Sequence, residues 1–314
     1  MPAERILIDC DPGHDDAAAI LYAARHLDIA GITTVFGNNS LDATTRNALS
    51  VLALAGLDIP VHRGARGPLG GAESAPGDLH GKTGLDGAVL PEPCAVPHEL
   101  SAEEAMLLHA QAAPLGIIAL GPLTNVAQAL EAHPGLAARI AWISLMGGST
   151  AIGNSTAVAE FNIHCDPEAA DIVFRSGVPI RMAGLNVTRQ VGVGEDEIAY
   201  LRSLGGMAAL TFADLFEFYL ERSRTIFGLA KASLHDACAV VPLVHPDLIG
   251  FRKAAVAVEL DGRHTRGMTV CDFRNVALKD LQAIRPSSEP NAEVAVEVDG
   301  AEIVRKVFDA IASY

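Results

Sequence analysis

Nowhere does this chain hold a run of about 18 apolar residues, the length a membrane-spanning helix needs. Nor do its first thirty residues pair a basic segment with a cleavable apolar one, so an unexported, cytoplasmic protein is expected. Cysteine is sparse: Cys10, Cys94, Cys165, Cys238 and Cys271 are scattered, odd in number and without CxxC spacing. That argues against a disulfide framework or a zinc cluster and fits buried, reduced thiols. Aromatic residues supply only 5% of a chain that is 50% hydrophobic. Ala, Val, Leu and Ile therefore carry the apolar mass, which suits parallel strands covered by helices better than a β-sandwich. Positive charge is short as well. A formal net charge of −15 argues against nucleic-acid or anionic-membrane partners.

What remains is enough apolar material, in 314 residues, for a large core. Short apolar runs at 6–9, 29–36, 60–62, 116–120, 142–146 and 180–183 read as strands. Helical patterns at 17–27, 43–55, 102–111, 123–132 and 167–176 lie between them. Asp166 followed by Pro167 is a helix start signal. The alternation predicts an α/β, Rossmann-like fold with a mostly parallel central sheet flanked by helices. Residues 64–97, rich in Gly and Pro, read as an irregular excursion. Helices at 195–204 and 207–227, a helix after His235-Asp236, strands at 254–260, 268–273 and 293–298, and a helix at 301–312 make an antiparallel and helical C-terminal decoration. A single domain spanning 1–314 is the simplest parse.

The densest chemistry follows the first strand. Asp9, Asp11, Asp15 and Asp16 fall within Asp9-Cys10-Asp11-Pro12-Gly13-His14-Asp15-Asp16. Crowded carboxylates at a strand's carboxyl end repel one another unless neutralised, and a hard divalent cation takes such oxygens as ligands. Asp15 or Asp16 as a helix cap would account for one acid but not for four. Gly37-Asn38-Asn39 follows the second strand and reads as a ligand loop or an Asx turn. Thr124, in Gly121-Pro122-Leu123-Thr124-Asn125, reads as a helix cap. Met146-Gly147-Gly148 allows close backbone approach. Glu160 and Asn162, two apart, share a face if extended and form a rim suited to sugar hydroxyls, or else are solvated loop residues. His235-Asp236 opens an apolar stretch, where a cap and a buried structural histidine are the bland alternatives.

Taken together and in order, these segments resemble the inosine–uridine nucleoside N-ribohydrolases. The resemblance implies hydrolysis of the N-glycosidic bond of ribonucleosides to ribose and free purine or pyrimidine base, a salvage reaction. It implies one Ca²⁺ per subunit, held by Asp11, Asp16, Asp236 and the backbone carbonyl of Leu120. Asp11 is further implied as the base that activates a metal-bound water, with Asn38 beside it in catalysis. Asp15, Asn38, Asn154, Glu160, Asn162 and Asp236 are implied to hold the ribose. His80 is implied near the base, and His235 is implied to assist its departure from an oxocarbenium-like transition state. The segment from Glu221 to Gly228 does not align with a purine-type or a pyrimidine-type pattern. Arg222, Arg224 and Phe227 are candidates there for base contact or for a solvated helix face. The family also implies a homodimer or homotetramer acting on small-molecule nucleosides.

Two rivals are weaker. A haloacid-dehalogenase-like phosphatase would also use Asp9-x-Asp11, but Lys82, Lys231, Lys253, Lys279 and Lys306 are poorly placed for it. A non-catalytic nucleoside binder would not require the full set of base, metal ligands and leaving-group histidine.

Overall fold

The computed structural model describes residues 5–71, 79–274 and 288–314. Their strands are β1 (Arg5–Cys10), β2 (Ile29–Thr34), β3 (Val61–Arg63), β4 (Leu115–Ala119), β5 (Ile140–Met146), β6 (Ile180–Ala183), β7 (Gly192–Val193), β8 (Ala232–Ser233), β9 (Ile249–Val258), β10 (Thr269–Asp272) and β11 (Ala292–Val298). The helices are α1 (His14–His26), α2 (Leu41–Ala55), α3 (Ala102–Ala112), α4 (Thr124–Ala132), α5 (Phe161–Cys165), α6 (Pro167–Arg175), α7 (Leu185–Thr188), α8 (Glu195–Leu204), α9 (Met207–Phe227), α10 (Ala237–Val244) and α11 (Gly300–Ile311).

Nine strands form one sheet in the order β10-β9-β11-β6-β5-β4-β1-β2-β3, and β7 pairs with β8 separately. From β3 to β11 the pairings are parallel, while β9 runs antiparallel to both β11 and β10. The expected parallel α/β sheet with an antiparallel C-terminal section is therefore what the chain forms. β1, β4 and β5 are nearly continuous runs of buried residues because helices cover both faces. Residues of α1, α2, α9, α10 and α11 join the core on one face, and residues of α3, α4 and α6 join that on the other.

Local chemistry sets the helix ends. Ser101 and Glu104 form a reciprocal cap on α3. Asp166 caps α6 with Pro167 at its first position. Gly228 closes α9 in the left-handed conformation, at φ 66°.

Several boundaries differ from the sequence reading. Helix α1 starts at His14, so Asp15 and Asp16 lie inside its first turn and Gly13 is the N-cap; Asp16 contributes by accepting from the Gly13 amide at 3.0 Å. Thr124 is not a cap: it lies inside α4, and its hydroxyl donates to Asp166 Oδ2 at 2.7 Å. The strand expected at 254–260 spans Ile249–Val258, because the adjacent exposed residues Arg252 and Lys253 interrupt the apolar alternation. The described parts of the 64–97 excursion contain no helix or strand, and residues 72–78 of it lie outside the described residues.

The topology locates the site. Leaving β1, the sheet runs one way through β2 and β3, and the other way through β4, β5 and β6. Ligands of open α/β sheets bind at the carboxyl ends of strands where the order reverses. The turns after β1, β2, β4 and β5 all open there, and they carry Asp11, Asn38, Leu120 and Gly147.

Candidate active site

A cavity of about 300 Å³ opens at this switch point. Its polar lining is Asp15, Asp16, Asn38, His80, Asn154, Glu160, Asn162, His235 and Asp236. Ser155 and Tyr219 also line it, and Leu79, Met146, Phe161, Ile226 and Phe227 supply apolar wall. No lysine or arginine is among the lining residues.

The floor is acidic. Ligand oxygens of Asp15, Asp16 and Asp236 lie within 4.8 Å of one another, and all three residues are buried. Burial pushes the Asp15 carboxyl up to about 8, the charge of Asp16 adds to it, and nearby backbone amides oppose it. Burial also raises Asp11, Asp16 and Asp236, and mutual repulsion adds to Asp11 and Asp236. Like charges held this closely in a dry site resist joint ionisation. Among the described residues, no lysine or arginine lines the cavity to offset them. All the donors are hard oxygen, a set that fits a hard dication better than a soft or nitrogen-seeking metal.

Asp11 is fully buried and stands beside this trio, not within it. Its Oδ2 accepts from the Asn38 amide at 2.6 Å, and its own amide donates to Asp16 Oδ1 at 3.3 Å. Oδ1 of Asp11 is buried without a hydrogen-bond partner, a costly condition that a bound cation or a water would relieve. Asn38 ties the two acids together, its Nδ2 donating to the Asp11 carbonyl and to Asp16 Oδ2 at 3.1 and 3.2 Å. Asp9, the fourth acid of the cluster, turns away from the cavity and accepts from Thr33 Oγ1 at 2.5 Å and Asn125 Nδ2 at 2.7 Å. Burial raises it to about 7 against those two bonds.

Glu160 and Asn162 both line the cavity, though not by the extended-strand geometry expected. Glu160 caps α5: Oε1 accepts from Asn162 N at 3.0 Å, and Oε2 from Gly148 N at 3.0 Å and Ile163 N at 3.2 Å. An acidic side chain at that position captures the exposed amides of a new helix, which turns the chain. Asn162 Nδ2 donates to the carbonyls of Leu120 at 2.6 Å and Met146 at 3.1 Å, leaving its oxygen for a ligand. Asn154 sits on a loop whose amides converge on the Ala159 carbonyl, and its Oδ1 is buried without a partner.

His80 and His235 also line the cavity. His80 packs against His14, Nδ1 to Nδ1 at 2.9 Å, and His14 Nε2 bonds the Asp86 carbonyl at 2.8 Å. The rings of both stack on Tyr219, each with centroids 5.1 Å from it. Burial holds His14 and His235 down to about 4, and it also lowers His80 well below its ordinary value. Phe227 stands half-exposed at the mouth beside Ile226. Arg222 does not line the cavity. On α9 the lining residues are Tyr219, Ile226 and Phe227, and Arg222 is not among them. Arg224 is paired with Glu195 at 2.8 Å. His14, Tyr219 and Thr188, whose hydroxyl meets His235 Nδ1 at 2.7 Å, escaped the sequence reading as site residues. His14 lay inside the acidic motif and could have been suspected, but nothing local marks Thr188.

The family model "Inosine-uridine preferring nucleoside hydrolase" matches residues 6–305. Pyrimidine-specific ribonucleoside hydrolases RihA of Shewanella woodyi and of Escherichia coli are each 41% identical over 315 residues, covering 98% of this chain and 98% of theirs. Among solved structures, a plant nucleoside hydrolase aligns with a TM-score of 0.91 at 32% identity, covering 100% of both chains. A purine-preferring ribonucleoside hydrolase from Gardnerella vaginalis aligns with a TM-score of 0.89 at 31% identity, covering 99% of this chain and 98% of that one.

Proposed function

The chain belongs to the inosine-uridine preferring nucleoside hydrolase family and is an N-glycosidase acting on ribonucleosides; we propose that it prefers pyrimidine ribonucleosides and uses Asp11 as base and His235 toward the leaving base. One observation carries the assignment of roles. A cluster of buried carboxylates shares one cavity with amide groups and a histidine, and among the described residues no lysine or arginine lines it. Such a cluster stabilises the positive charge that develops on a ribosyl ring as its base departs.

Asp11, Asp16 and Asp236, with the Leu120 carbonyl, would hold one Ca²⁺. When bound, a hard dication supplies the charge that offsets these acids and lowers the pKa of a water within its reach. The chain's own groups do the rest. Asp11 is oriented by the Asn38 amide, and its unpartnered Oδ1 takes a proton from the attacking water. The water oxygen bonds C1′, and the C1′–N bond breaks with its electron pair leaving on the base. His235 meets that base with a ring proton. Asp15, Asn38, Asn154, Glu160, Asn162 and Asp236 hold the ribose hydroxyls, and the free oxygens of Asn154 and Asn162 are suited to them. His80, Phe227 and Ile226 surround the base, and Arg222 drops from the base-contact set.

The pyrimidine preference rests on the relatives at 41% identity, which stand above the purine-preferring enzyme at 31%. A cytoplasmic homodimer or homotetramer working in nucleoside salvage completes the proposal, and light scattering checks the assembly. The deciding experiment is a panel of kcat/KM values for uridine, cytidine, inosine and adenosine by ribose release. Higher values for uridine and cytidine are expected. Preference for inosine or adenosine would overturn the base choice, and binding of all four without release would overturn hydrolysis.

A further inference from the structure

Thr188 ends α7 with its side chain fully buried. Two backbone ties bring it to the cavity wall. Leu185 N donates to the Gly148 carbonyl at 2.9 Å, which pins α7 to the glycine turn after β5. Leu234 N donates to the Val191 carbonyl at 2.8 Å and continues the β7–β8 ladder of Gly192 with Ser233 and Val193 with Ala232. The ladder sets the segment carrying Thr188 against the one carrying His235, and Thr188 Oγ1 reaches His235 Nδ1 at 2.7 Å.

The direction of that bond follows from counting protons. A threonine hydroxyl carries one proton and needs an acceptor for it, while a neutral imidazole has one N–H and one lone pair. Among the described residues, His235 Nδ1 is the hydrogen-bond partner of Thr188 Oγ1. If Nδ1 donated, the buried hydroxyl proton would be left unpaired, at a cost of about 1–3 kcal/mol. If the hydroxyl donates into the Nδ1 lone pair, both groups are satisfied and the ring proton must sit on Nε2. The nitrogen that one partner occupies thus decides what the other nitrogen offers.

We propose that Thr188 is a positioning residue that holds His235 as its Nε2–H tautomer, turned so that this N–H is presented to the departing base. The inference rests on His235 facing the leaving base, as proposed above. It assigns to the neutral ring a donor that polarises the base as the C1′–N bond breaks, the arrangement by which a neutral histidine serves as an electrophile. Thr188 touches no substrate and acts through the ring alone.

The test compares Thr188→Val, which keeps the shape and removes the hydroxyl, with Thr188→Ser, which keeps the hydroxyl. Both are placed in the wild-type and His235→Ala backgrounds. On uridine, T188V is expected to lower kcat by ~10- to 100-fold, the scale seen when the outer partner of a metal-bound histidine is removed. T188S should restore most of it. On p-nitrophenyl riboside, whose leaving group departs without a proton, T188V should stay near wild type. In the H235A background T188V should add no further loss, as expected for two residues acting in one interaction. Nitrogen-15 correlation of the ring of His235, assigned with H235A, should show the wild-type protein in the Nε2–H form. An Nδ1–H ring overturns the proposal even if T188V fails to fold. H235A slow on uridine with T188V unaffected overturns the role of Thr188 alone. H235A unaffected on uridine overturns the His235 assignment and this inference with it.

Discussion

Two glycines press on the Asp11 carboxylate. A Cβ at Gly121 would lie 2.6 Å from its Oδ1, and one at Gly37 would overlap its Oδ2. Backbone can approach the acid only because those side chains are missing, so the carboxylate is held by main chain and has little room to swing. Asp11→Asn keeps the size and removes the base. Turnover should fall by at least ~10²-fold with an unchanged circular dichroism spectrum; a near-normal rate would move the base role to Asp15. Glu160 yields a pH prediction. Burial raises its carboxyl to about 7, above the ordinary 4.5. The folded chain therefore favours the protonated form, and this contribution to stability, complete below pH 4.5, is lost as pH rises through 7. Glu160→Gln stays neutral throughout, so urea unfolding should show a shallower fall of stability between pH 5 and 8 than in wild type. An identical slope would show that the carboxyl ionises freely in the fold. At this scale the sequence marked Asp11, Asp16, Asn38, Asn154, Glu160, Asn162, His80, His235 and Asp236 as residues of interest. It could not mark Thr188, because a threonine gains that role only from the ring it meets 47 positions away.

The joint between α5 and α6 shows how elements position the site. Asp166 Oδ1 accepts from Ala169 N at 3.1 Å and caps α6. Its Oδ2 accepts from Leu69 N at 2.8 Å and from Thr124 Oγ1 at 2.7 Å. One buried side chain thereby fastens a helix start, the first part of the long excursion and the first turn of α4. Asp166→Ala removes a cap, at about 1 kcal/mol, strands a buried hydroxyl, at about 1–3 kcal/mol, and frees a part-buried amide that solvent can reach. A loss of at least ~2 kcal/mol by urea titration is expected, and a loss under 0.5 kcal/mol would show that solvent replaces all three bonds. The Asp166-Pro167 signal announced the helix, since capping is local chemistry. The ties to Leu69 and Thr124 were not legible, because they join segments 97 and 42 residues apart. The same distinction explains residues 160–162. Their extended reading came from side-chain spacing, whereas the amides of Gly148 and Ile163 converging on Glu160 start a helix there.

For the molecule as a whole, the acidic floor couples ligand to fold. If Asp11, Asp16 and Asp236 share a cation, removing it leaves buried carboxylates repelling one another in the native state only. Chelation should then lower Tm and abolish turnover. Added Ca²⁺ should restore both, the stability rising by about 2.7 kcal/mol at a hundredfold excess over Kd. A chelated protein with unchanged Tm, full activity and no calorimetric response to Ca²⁺ would refute the site. Local pattern in the chain specifies the α/β class, most of the helices and the order in which the chemical segments occur. These depend on hydrophobic period, capping residues and the carboxyl-end position of polar groups, all of which act over a few residues. Which of the marked residues meet is set by the packing of distant segments. Asp15 enters the tight trio while Asp11 stands beside it and Asp9 turns away, Arg222 falls outside the cavity, and Thr188 is delivered to His235. The reversal of strand order between β1 and β4, together with the β7–β8 ladder, sets those meetings. They are facts of long-range packing, which no local pattern in the chain encodes.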